Sequence, residues 1–379
     1  MSEWKKCPIG EVVTLRQGFA INAKSKHYMS KEETSLPLLR IADMKNGTKE
    51  VFVKEEIPQR FIAHPEDIIY TRTGNVGLVF RNNYGVMHNN CFSVTPNDAD
   101  ELSRDFLYYA LQNKTFFDTA NALARGAAQP DLPHTSFNSI EFAYPSLFVQ
   151  ERIAYILSRY DSLIENYQKQ IKLLEEAAQR LYKEWFIDLH FPEHENTNII
   201  DGVPEGWEKK KVGEVIAKVP RSKQIPTKDY QNEGAIPSID QCRDYIAGYT
   251  DDIESRVESN EPYIVFGDHT RILKYVPFPF AKGADGTQLI MSNNLDLMPQ
   301  CLLFTSLVSV DLSNYSYARH FKYLKEEEIL VPTASIANAF SKHVAKWYAK
   351  IQLNREQLRL LTEARDRLLP KLMSGEITV

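Results

Sequence analysis

Cysteine and long apolar runs are scarce in this chain of 379 residues, and their scarcity excludes several classes of protein. The four cysteines, Cys7, Cys91, Cys242 and Cys301, are scattered without a C-x-x-C spacing, which predicts reduced thiols rather than a disulfide framework or a zinc site. No apolar run approaches the ~20 residues that a membrane-spanning helix needs. The first residues lack the apolar stretch of a secretory signal. We therefore expect a cytoplasmic protein.

Signatures of nucleotide binding and catalysis are also missing. The chain has no G-x-x-x-x-G-K-[ST] loop, no G-x-G-x-x-G after a strand and no G-x-S-x-G turn. The Asn/Asp-Pro-Pro-aromatic tetrapeptide of amino-methyltransferases is absent. His190 and His194 are four residues apart, but Pro192 disrupts a helix there and the H-E-x-x-H pattern is not matched. These absences predict a binding protein with no catalytic residues, no metal and no cofactor of its own.

The charge balance gives no sign of nucleic-acid binding by itself. Lys and Arg number 45 against 50 Asp and Glu, a formal net charge of −5. Residues 191–331 are the most acidic part, with 15 basic and 22 acidic side chains. Such a chain can bind DNA if its basic side chains cluster on loops, because the neutralisation of DNA phosphates supplies most of the non-specific affinity.

Two collinear matches indicate that the chain is a duplication. The pattern W-x-K-x-x-x-G-E-V occurs at 4–12 and again at 207–215, an offset of 203. The pattern Q-x-[KR]-L-L-x-E-A-x-x-R-L occurs at 170–181 and 357–368, an offset of 187. Each copy is therefore a globular domain followed by a helical segment, and the first copy carries 16 more residues in between.

The helical segments, 147–190 and 332–379, carry apolar residues at alternating spacings of three and four. This a/d pattern predicts two long helices that pack on each other as an antiparallel coiled coil, although core helices of a bundle would show a similar pattern. Asn354 and Arg365 interrupt the second stripe, and buried polar groups at such positions usually set register. The predicted contact stripe comprises Leu157, Tyr160, Ile164, Tyr167, Ile171, Leu174, Ala178, Leu181 and Trp185 in the first helix, and Val344, Trp347, Ile351, Leu358, Leu361, Leu368 and Leu372 in the second.

The globular domains, 1–146 and 191–331, have a different texture. Short β-branched and aromatic runs at 67–71, 77–80 and 263–266 predict strands joined by tight loops, and a helical pattern covers 102–111. We predict an α+β protein: two mixed α/β domains separated by two long antiparallel helices, with an internal pseudo-two-fold repeat. The two domains differ strongly in their loops, so one scaffold presents two different surfaces.

At this point the sequence resembles the DNA-sequence specificity subunits of type I restriction–modification systems, over essentially its whole length. The most specific motif is LLTEARDRLLPKLMSGEI at 360–377, and PEGWEKKKVGE at 204–214 is similarly diagnostic. Further matches are GAAQP at 126–130, IVFGDHTR at 264–271 and RHFKYL at 319–324. One departure is that Gln150 and Ile153 keep the family's pattern at the first helix start, whereas Ala337 and Phe340 replace them in the second copy.

This resemblance implies two target-recognition domains, each reading one half of a split, asymmetric DNA target with an unread gap between the halves. It implies that two modification (methyltransferase) subunits dock on the chain and that restriction subunits join them. Catalysis, S-adenosylmethionine, ATP and Mg²⁺ would then belong to those partners. Two alternatives are a protein-interaction scaffold that binds no DNA, which the acidic balance suggests, and an enzyme in its own right, which the missing signatures oppose.

Candidate DNA contacts are basic or amide side chains in loop-like sequence. Arg can bond the O6 and N7 atoms of guanine together, Gln can bond adenine, and Lys more often meets phosphate. For any one of them the alternative is a solvated surface charge or a salt bridge. The candidates are Arg40, Lys45, Arg72, Arg125 and Gln129 in the first domain and Lys223, Arg243, His269, Arg271, Lys282 and Arg319 in the second.

Overall fold

The computed structural model describes residues 4–283, 286–315 and 319–379. The chain forms two compact units, of which the first holds residues 4–164 and 360–379 and the second holds residues 165–359. Each unit therefore combines one globular domain with part of each helical segment. The predicted α+β class is confirmed. The predicted domain boundaries remain predictions, because the compact units divide the chain within the helices.

Unit 1 contains the first mixed domain. Its strands are β1 Lys5–Pro8, β2 Val13–Gln17, β3 Met29–Ser30, β4 Leu36–Leu39, β5 Phe52–Val53, β6 Ile62–Ala63, β7 Ile68–Thr71, β8 Val79–Phe80, β9 Gly85–Met87, β10 Cys91–Pro96 and β11 Glu141–Tyr144. Its helices are α1 Ile41–Asn46, α2 Arg104–Gln112, α3 Lys114–Leu123 and α4 His134–Asn138, and the long helix α5 Leu147–Tyr182 begins here.

Unit 2 contains the second mixed domain. Its strands are β12 Ile199–Ile200, β13 Val203–Pro204, β14 Glu208–Lys211, β15 Ile236–Ile239, β16 Gly248–Thr250, β17 Arg256–Val257, β18 Tyr263–Gly267, β19 Leu273–Val276, β20 Phe280–Lys282, β21 Thr287–Ile290 and β22 Glu328–Val331. Its helices are α6 Val212–Val215, α7 Gln300–Ser309, α8 His320–Glu326 and the long α9 Ala334–Met373, whose end lies in unit 1.

The strand pairings support the duplication read from the sequence. In each domain the first long strand pairs antiparallel with the last one before a long helix, β1 with β11 and β14 with β22. A parallel pair, β4 with β9 and β15 with β20, lies in the middle of each chain segment. A central strand pairs on both sides in each domain, with order β10-β7-β8 in the first and β21-β18-β19 in the second. The two domains share one framework.

Apolar composition explains why the central strands lie inside. All four residues of β7 are buried, as expected for a strand covered on both faces. Helix α2 begins after Ser103, whose hydroxyl accepts a hydrogen bond from the Phe106 amide at 3.4 Å. Helix α1 ends at Asn46, and the next residue, Gly47, has a φ of 67°, a conformation that favours glycine.

Within unit 1, the first part of α5 packs antiparallel to the last part of α9. Ile153, Ala154 and Leu157 share one apolar core with Leu372 and Met373. The order is reversed between the two helices, because Asp161 further along α5 meets Arg365 earlier in α9 at 3.0 Å. The predicted antiparallel pairing is therefore present in this unit.

Unit 2 shows the same pairing with the remaining helix parts. Tyr182 and Phe186 contact Phe340 through their rings. Further along α9, Asn354 is fully buried and donates a hydrogen bond from its side-chain nitrogen to Gln170 at 3.2 Å. Both polar interruptions of the second stripe, Arg365 in unit 1 and Asn354 in unit 2, thus contact the other helix.

Every described residue of the predicted contact stripe is at least half-buried. In unit 1, Leu157, Ile164 and Leu372 are buried, and Tyr160, Leu361 and Leu368 are half-buried. In unit 2, Ala178, Trp185, Val344 and Ile351 are buried, and Tyr167, Ile171, Leu174, Leu181, Trp347 and Leu358 are half-buried. Tyr182, outside the predicted stripe, is more deeply buried than Leu181, since a 3.6-residue helix drifts from a strict heptad by about 20° per heptad.

The helix ends deviate from the regular pattern in two places. Helix α5 passes into a π-helical turn at Lys183–Ile187, which inserts an extra residue and carries Trp185 and Phe186 into the core. Helix α9 continues past Pro370 to Met373. A proline in the last turn removes only one intrahelical hydrogen bond, so the helix tolerates it there.

The four cysteines are free thiols. In the described ranges, no helix is long and apolar enough to cross a bilayer, and no group of three or more His, Cys, Asp or Glu side chains is placed to hold a metal ion.

In unit 1 a polar cluster joins the globular domain to both long helices. The Asp161 carboxylate accepts hydrogen bonds from Arg365 at 3.0 Å, from Arg81 at 3.2 Å and from the Tyr109 hydroxyl at 2.6 Å. The Arg81 guanidinium lies 4.1 Å from the centre of the Tyr108 ring. The Asp161 side chain is only 13% exposed, so its charge depends on these partners.

In unit 2 the equivalent joint is aromatic. The Thr305 hydroxyl on α7 lies 3.0 Å from the Tyr348 hydroxyl on α9. The corresponding contact in unit 1 is the hydrogen bond from Tyr109 on α2 to Asp161 on α5. The Tyr275 ring packs 4.8 Å from Tyr348 and 5.3 Å from Phe304. One framework therefore uses ion pairs at one joint and ring packing at the other.

We predict that Asp161→Ala destabilises unit 1 by on the order of 3 kcal/mol, because it leaves two largely buried guanidinium groups without their shared carboxylate. Urea unfolding measures the change. The matched control is Asp188→Ala, which breaks a solvent-exposed pair with Lys183 and should cost less than about 1 kcal/mol. Equal losses in the two variants would contradict the assignment.

Candidate nucleic-acid interface

The C-terminal ends of the central strands of unit 1 meet at one side of the domain. Leu39 at the end of β4 pairs in parallel with Met87 at the end of β9, and Thr71 at the end of β7 pairs with Cys91 at the start of β10. The three-residue turn 88–90 joins β9 to β10. We call the loops 40–47, 72–78, 88–90 and 124–132 the first loop edge.

Arg72 is held in place at the first loop edge. Its Nε and Nη2 donate to the two carboxylate oxygens of Asp131 at 3.1 and 2.6 Å, and its Nη1 donates to Gln17 at 3.2 Å. Burial alone would raise the pKa of Asp131, but hydrogen bonds from Arg72 and Thr73 outweigh it and lower the pKa. The fixed guanidinium keeps two N–H groups, one on each terminal nitrogen, for another acceptor.

Arg40 is held in the same way. Its Nε and Nη2 donate to Asp43 at 2.6 and 3.0 Å, and Nη2 also donates to Glu50 at 2.6 Å. Both terminal N–H groups on Nη1 remain available. Burial, and then the nearby Arg40 charge, lower the pKa of His88 in the adjoining turn. Lys45, in the last turn of α1, is exposed and forms no ion pair among the described residues.

Arg125 and Gln129 lie on a hairpin-like loop that closes on Asp131. The backbone amides of Arg125 and Asp131 each donate to the other's carbonyl oxygen at 2.8 Å, and Gly126 has a φ of 98° within this turn. Both Arg125 and Gln129 are exposed. The amide of Gly74 donates to the Pro130 carbonyl at 2.8 Å, which ties this loop to the one that carries Arg72.

Unit 2 builds a second loop edge from the equivalent strand ends. Ile239 pairs in parallel with Lys282, and Gly267 pairs with Thr287. We call the loops 240–247 and 268–272, with the described residues 283, 286 and 319, the second loop edge; residues 284, 285 and 316–318 lie outside the described ranges. The side chain of Gln241 links two of these loops by accepting from the His269 amide at 3.1 Å.

Arg271 and His320 form the centre of the second loop edge. Arg271 has a φ of 61°, and its Nε donates to His320 Nε2 at 3.1 Å. This leaves the Nδ1 proton of His320 for the Asp268 carbonyl oxygen at 2.9 Å. His269 and Arg243 are exposed nearby.

The two loop edges carry their charges on different elements. The Leu132 amide donates to the Arg72 carbonyl in unit 1, and the His320 amide donates to the Asp268 carbonyl in unit 2. Asp268 therefore occupies the place of Arg72. The residue before His320 is the exposed Arg319, whereas the residue before Leu132 is Asp131. Unit 1 therefore has the basic residue after the central strand and the acidic one on the facing loop, and unit 2 has the reverse.

Lys282 and Lys223 both interact with other residues of the second domain. Lys282 is half-buried at the end of β20 and interacts with neighbouring residues. Lys223 is held by Asp252 at 2.7 Å and by Glu254 at 3.2 Å. The contact of Lys223 with DNA stays a prediction. The sequence reasoning missed Gln17, which positions Arg72 from a distant strand, and no local pattern marks such a contact.

Four glycines at the two loop edges serve the backbone in two ways. Gly74 and Gly77 have φ angles of 84° and 96°, which favour glycine. Gly283 does not, but a Cβ atom there would collide with the Tyr230 hydroxyl and with the Asp240 side chain, 2.5 Å away. Gly267 is similarly crowded by Gln241.

Comparison with known proteins places this architecture beside one family. Residues 1–176 match the family model described as the type I restriction modification DNA specificity domain. The specificity subunit of the type I restriction enzyme MjaIX from Methanocaldococcus jannaschii is 28% identical over 76% of this chain and 72% of its own length. The HindI specificity subunit from Haemophilus influenzae is 21% identical over the whole of both chains.

A solved structure shows the same fold. The crystal structure of a type I restriction–modification system S subunit from M. genitalium covers 98% of this chain and 96% of its own, with a TM-score of 0.65 and 19% identity. At this identity the likeness concerns the fold alone.

We predict that the Arg40–Asp43 pair stabilises the first loop edge only while Asp43 is ionised. Burial would raise the pKa of Asp43, yet hydrogen bonds from Arg40 and Thr48 hold the pKa below its ordinary value of 3.8. A lowered folded-state pKa means stability that is present above pH 3.8 and is lost as pH falls through the folded value. The difference in unfolding free energy between wild type and Asp43→Asn should therefore be constant near pH 6 and vanish in acid.

The control is Glu32→Gln, which replaces an exposed carboxylate without an ion pair among the described residues. Its stability should follow wild type at every pH. An Asp43→Asn difference that persisted unchanged at pH 2.5 would show that the pair contributes through shape and not through charge.

Proposed function

Since residues 1–176 match the model of the type I restriction modification DNA specificity domain and the chain is similar to specificity subunits, we propose that it is such a subunit and reads a bipartite, asymmetric DNA target with its two globular domains. The observation that carries this proposal is the pair of loop edges, built on one strand framework but lined by different side chains. Two equivalent surfaces with unlike chemistry suit two unlike half-sites better than one continuous or palindromic target.

Base contacts in the first half-site fall to Arg40 and Arg72. A carboxylate holds each guanidinium along one side, so the remaining N–H groups are oriented before DNA arrives and lose little side-chain entropy on binding. Arg72, with one free N–H group on each terminal nitrogen, matches O6 and N7 of a single guanine in the major groove, whereas Arg40 offers its two Nη1 N–H groups to separate acceptors. The exposed Gln129 suits adenine, and the exposed Lys45 and Arg125 suit phosphates.

In the second half-site we assign base contacts to Arg271 and Arg319, with His269 and Arg243 beside them. Arg271 is positioned by His320, while Arg319, His269 and Arg243 are exposed. Because Asp268 stands where unit 1 has Arg72, the two half-sites should differ in sequence at the equivalent step. Lys282 and Lys223 are assigned to phosphate.

The unread gap between the half-sites is set, in this proposal, by the paired helices. Helix α5 has 36 residues and α9 has 40, which at ~1.5 Å per residue correspond to roughly 54 and 60 Å. In each unit the two helices pack antiparallel, and the buried Asn354 and the Asp161–Arg365 pair oppose slippage. A stiff pair of this kind keeps a constant length.

Partner subunits supply catalysis in this proposal. Two modification subunits dock on the chain, restriction subunits join them, and S-adenosylmethionine, ATP and Mg²⁺ are used there, in the cytoplasm. Support for docking comes from α5 in unit 1, where Phe148 is 67% exposed and Tyr155 is 60% exposed beside a surface cavity of about 470 Å³. Large apolar side chains of this exposure commonly mark protein interfaces.

We predict that replacing residues 1–146 by the corresponding domain of another family member changes one half-site and leaves the other intact. The physical reason is that each loop edge is confined to one compact unit. The measurement is the set of DNA sequences that the chain protects when it is combined with its modification subunits. The reciprocal exchange of residues 191–331 is the matched control and should change the other half-site.

A change in both half-sites after one exchange would show that the domains do not read independently. If no sequence-specific protection appears under any salt condition, the chain is a protein-interaction scaffold, and the proposal fails.

We also predict that inserting one heptad into each of α5 and α9 lengthens the unread gap and preserves both half-sites. Seven helical residues add about 10 Å, or roughly three base pairs at 3.4 Å per base pair. The control places seven residues in the exposed turn at Asp201 and Gly202, which should leave the gap unchanged. A gap that stays constant after the helical insertion would refute the spacing role of the helices.

A further inference from the structure

A basic groove opens on the second globular domain, next to its loop edge. Its walls are the extended segment 216–224, strands β20 and β21, and helix α8, and it encloses about 770 Å³. Four basic side chains line it, and no acidic side chain among the described residues does so. These bases are Lys218, Arg221, Lys282 and Lys325.

Three of these basic side chains form no ion pair among the described residues, in contrast to the lysines of the nearby strand β14. Lys209, Lys210 and Lys211 on β14 are each paired with a glutamate at 2.5–2.7 Å. Lys218, Arg221 and Lys325 form no ion pair within the described part of the chain, and they point to the same groove. In a domain with more acidic than basic residues, a groove lined by four basic side chains and by no described acidic one is a local concentration of positive charge.

Two further features suit an anionic ligand. Lys325 is half-buried, and its Nζ lies 5.2 Å from the centre of the Phe321 ring, which orients the ammonium group in the wall. The hydroxyl of Ser222, which also lines the groove, is buried without a hydrogen-bond partner among the described residues. A buried hydroxyl left unpaired costs free energy that an incoming oxygen acceptor can recover.

The first domain lacks this arrangement at the equivalent place. A Cβ atom added at Gly213 would lie 3.2 Å from the Lys325 carbonyl oxygen, whereas one added at the matching Gly10 would lie 2.6 Å from the Asn138 side chain. The repeat therefore puts a cation beside one glycine and a neutral amide beside the other. The asymmetry argues against a purely structural role for Lys325, because the shared framework folds without a base there.

We propose that this groove binds the phosphate backbone of duplex DNA beside the half-site read by the second domain. This inference rests on the proposed function. Lys282 belongs both to the groove and to the end of β20 at the second loop edge, so a strand leaving the edge enters the groove directly. The four basic side chains are distributed over the segment 216–224, β20 and α8, and this spread suits a run of phosphates better than a single small anion. The second domain then supplies the larger share of the sequence-independent affinity.

The test measures DNA binding by the chain in complex with its modification subunits, using Lys218→Gln, Arg221→Gln and Lys325→Gln singly and combined. Each substitution should lower the affinity for target and non-target duplexes by the same factor. Each should also reduce the slope of log affinity against log salt by about 0.9, the value for one phosphate. The half-site sequences should not change.

The matched control is Lys322→Gln, on the same helix α8 but outside the groove. It should keep the wild-type salt slope. Neutral methylphosphonates placed beside the second half-site should weaken wild type more than the triple variant, which keeps only Lys282 in the groove, whereas the same change beside the first half-site should weaken both equally. Circular dichroism checks that the variants remain folded.

A triple variant with the wild-type salt slope would overturn the inference, while specific binding by wild type would leave the proposed function standing. If millimolar ATP displaced duplex from wild type but not from the triple variant, the groove would be a nucleotide site instead. Failure of wild type to bind any DNA specifically would instead refute the proposed function.

Discussion

The antiparallel pairing of α5 with α9 determines which parts of the chain fold together. Each compact unit contains one globular domain, the near end of its own helix and the far end of the other repeat's helix. Polar contacts fix this arrangement, because Asp161 meets Arg365 in unit 1 and Asn354 meets Gln170 in unit 2. A slip of one helical turn would separate the largely buried Asp161 carboxylate and the fully buried Asn354 amide from these partners. The apolar contacts alone could not prevent such a slip, because apolar side chains can re-form contacts in the shifted register.

The two joints between domain and helices show how one framework tolerates different chemistry. Unit 1 uses Asp161 with two arginines, and unit 2 uses Tyr348 among aromatic rings. An ion-paired joint depends on every partner being present, whereas ring packing accepts small displacements. The same freedom appears at the loop edges, where Arg72 and Asp268 occupy equivalent backbone positions. Divergence after duplication has therefore changed side chains and kept hydrogen-bonded strands.

Much of the fold could be predicted from the sequence because its signals are local and periodic. The heptad spacing located both long helices, and runs such as 67–71 and 263–266 located the central strands. Contacts between distant residues could not be predicted. Nothing near Arg40 or Arg72 in sequence shows how firmly a carboxylate holds each guanidinium, and Asp131 lies 59 residues from Arg72. Likewise Lys218 and Lys325 lie near opposite ends of the sequence of the second domain, and only the fold brings them to one groove.

The packing of Trp4 has a consequence for how the protein is made. Its indole ring lies against Gly375 and borders a small cavity with Leu372 and Ile377, and Leu372 and Met373 complete the core around Phe106. During synthesis the first domain must therefore wait, with part of its apolar interior uncovered, until the end of α9 has left the ribosome. A stop codon immediately before Leu372 would damage the core of the domain that is translated first and spare the core of the domain that is translated second, whose last buried apolar helix residue is Ile351.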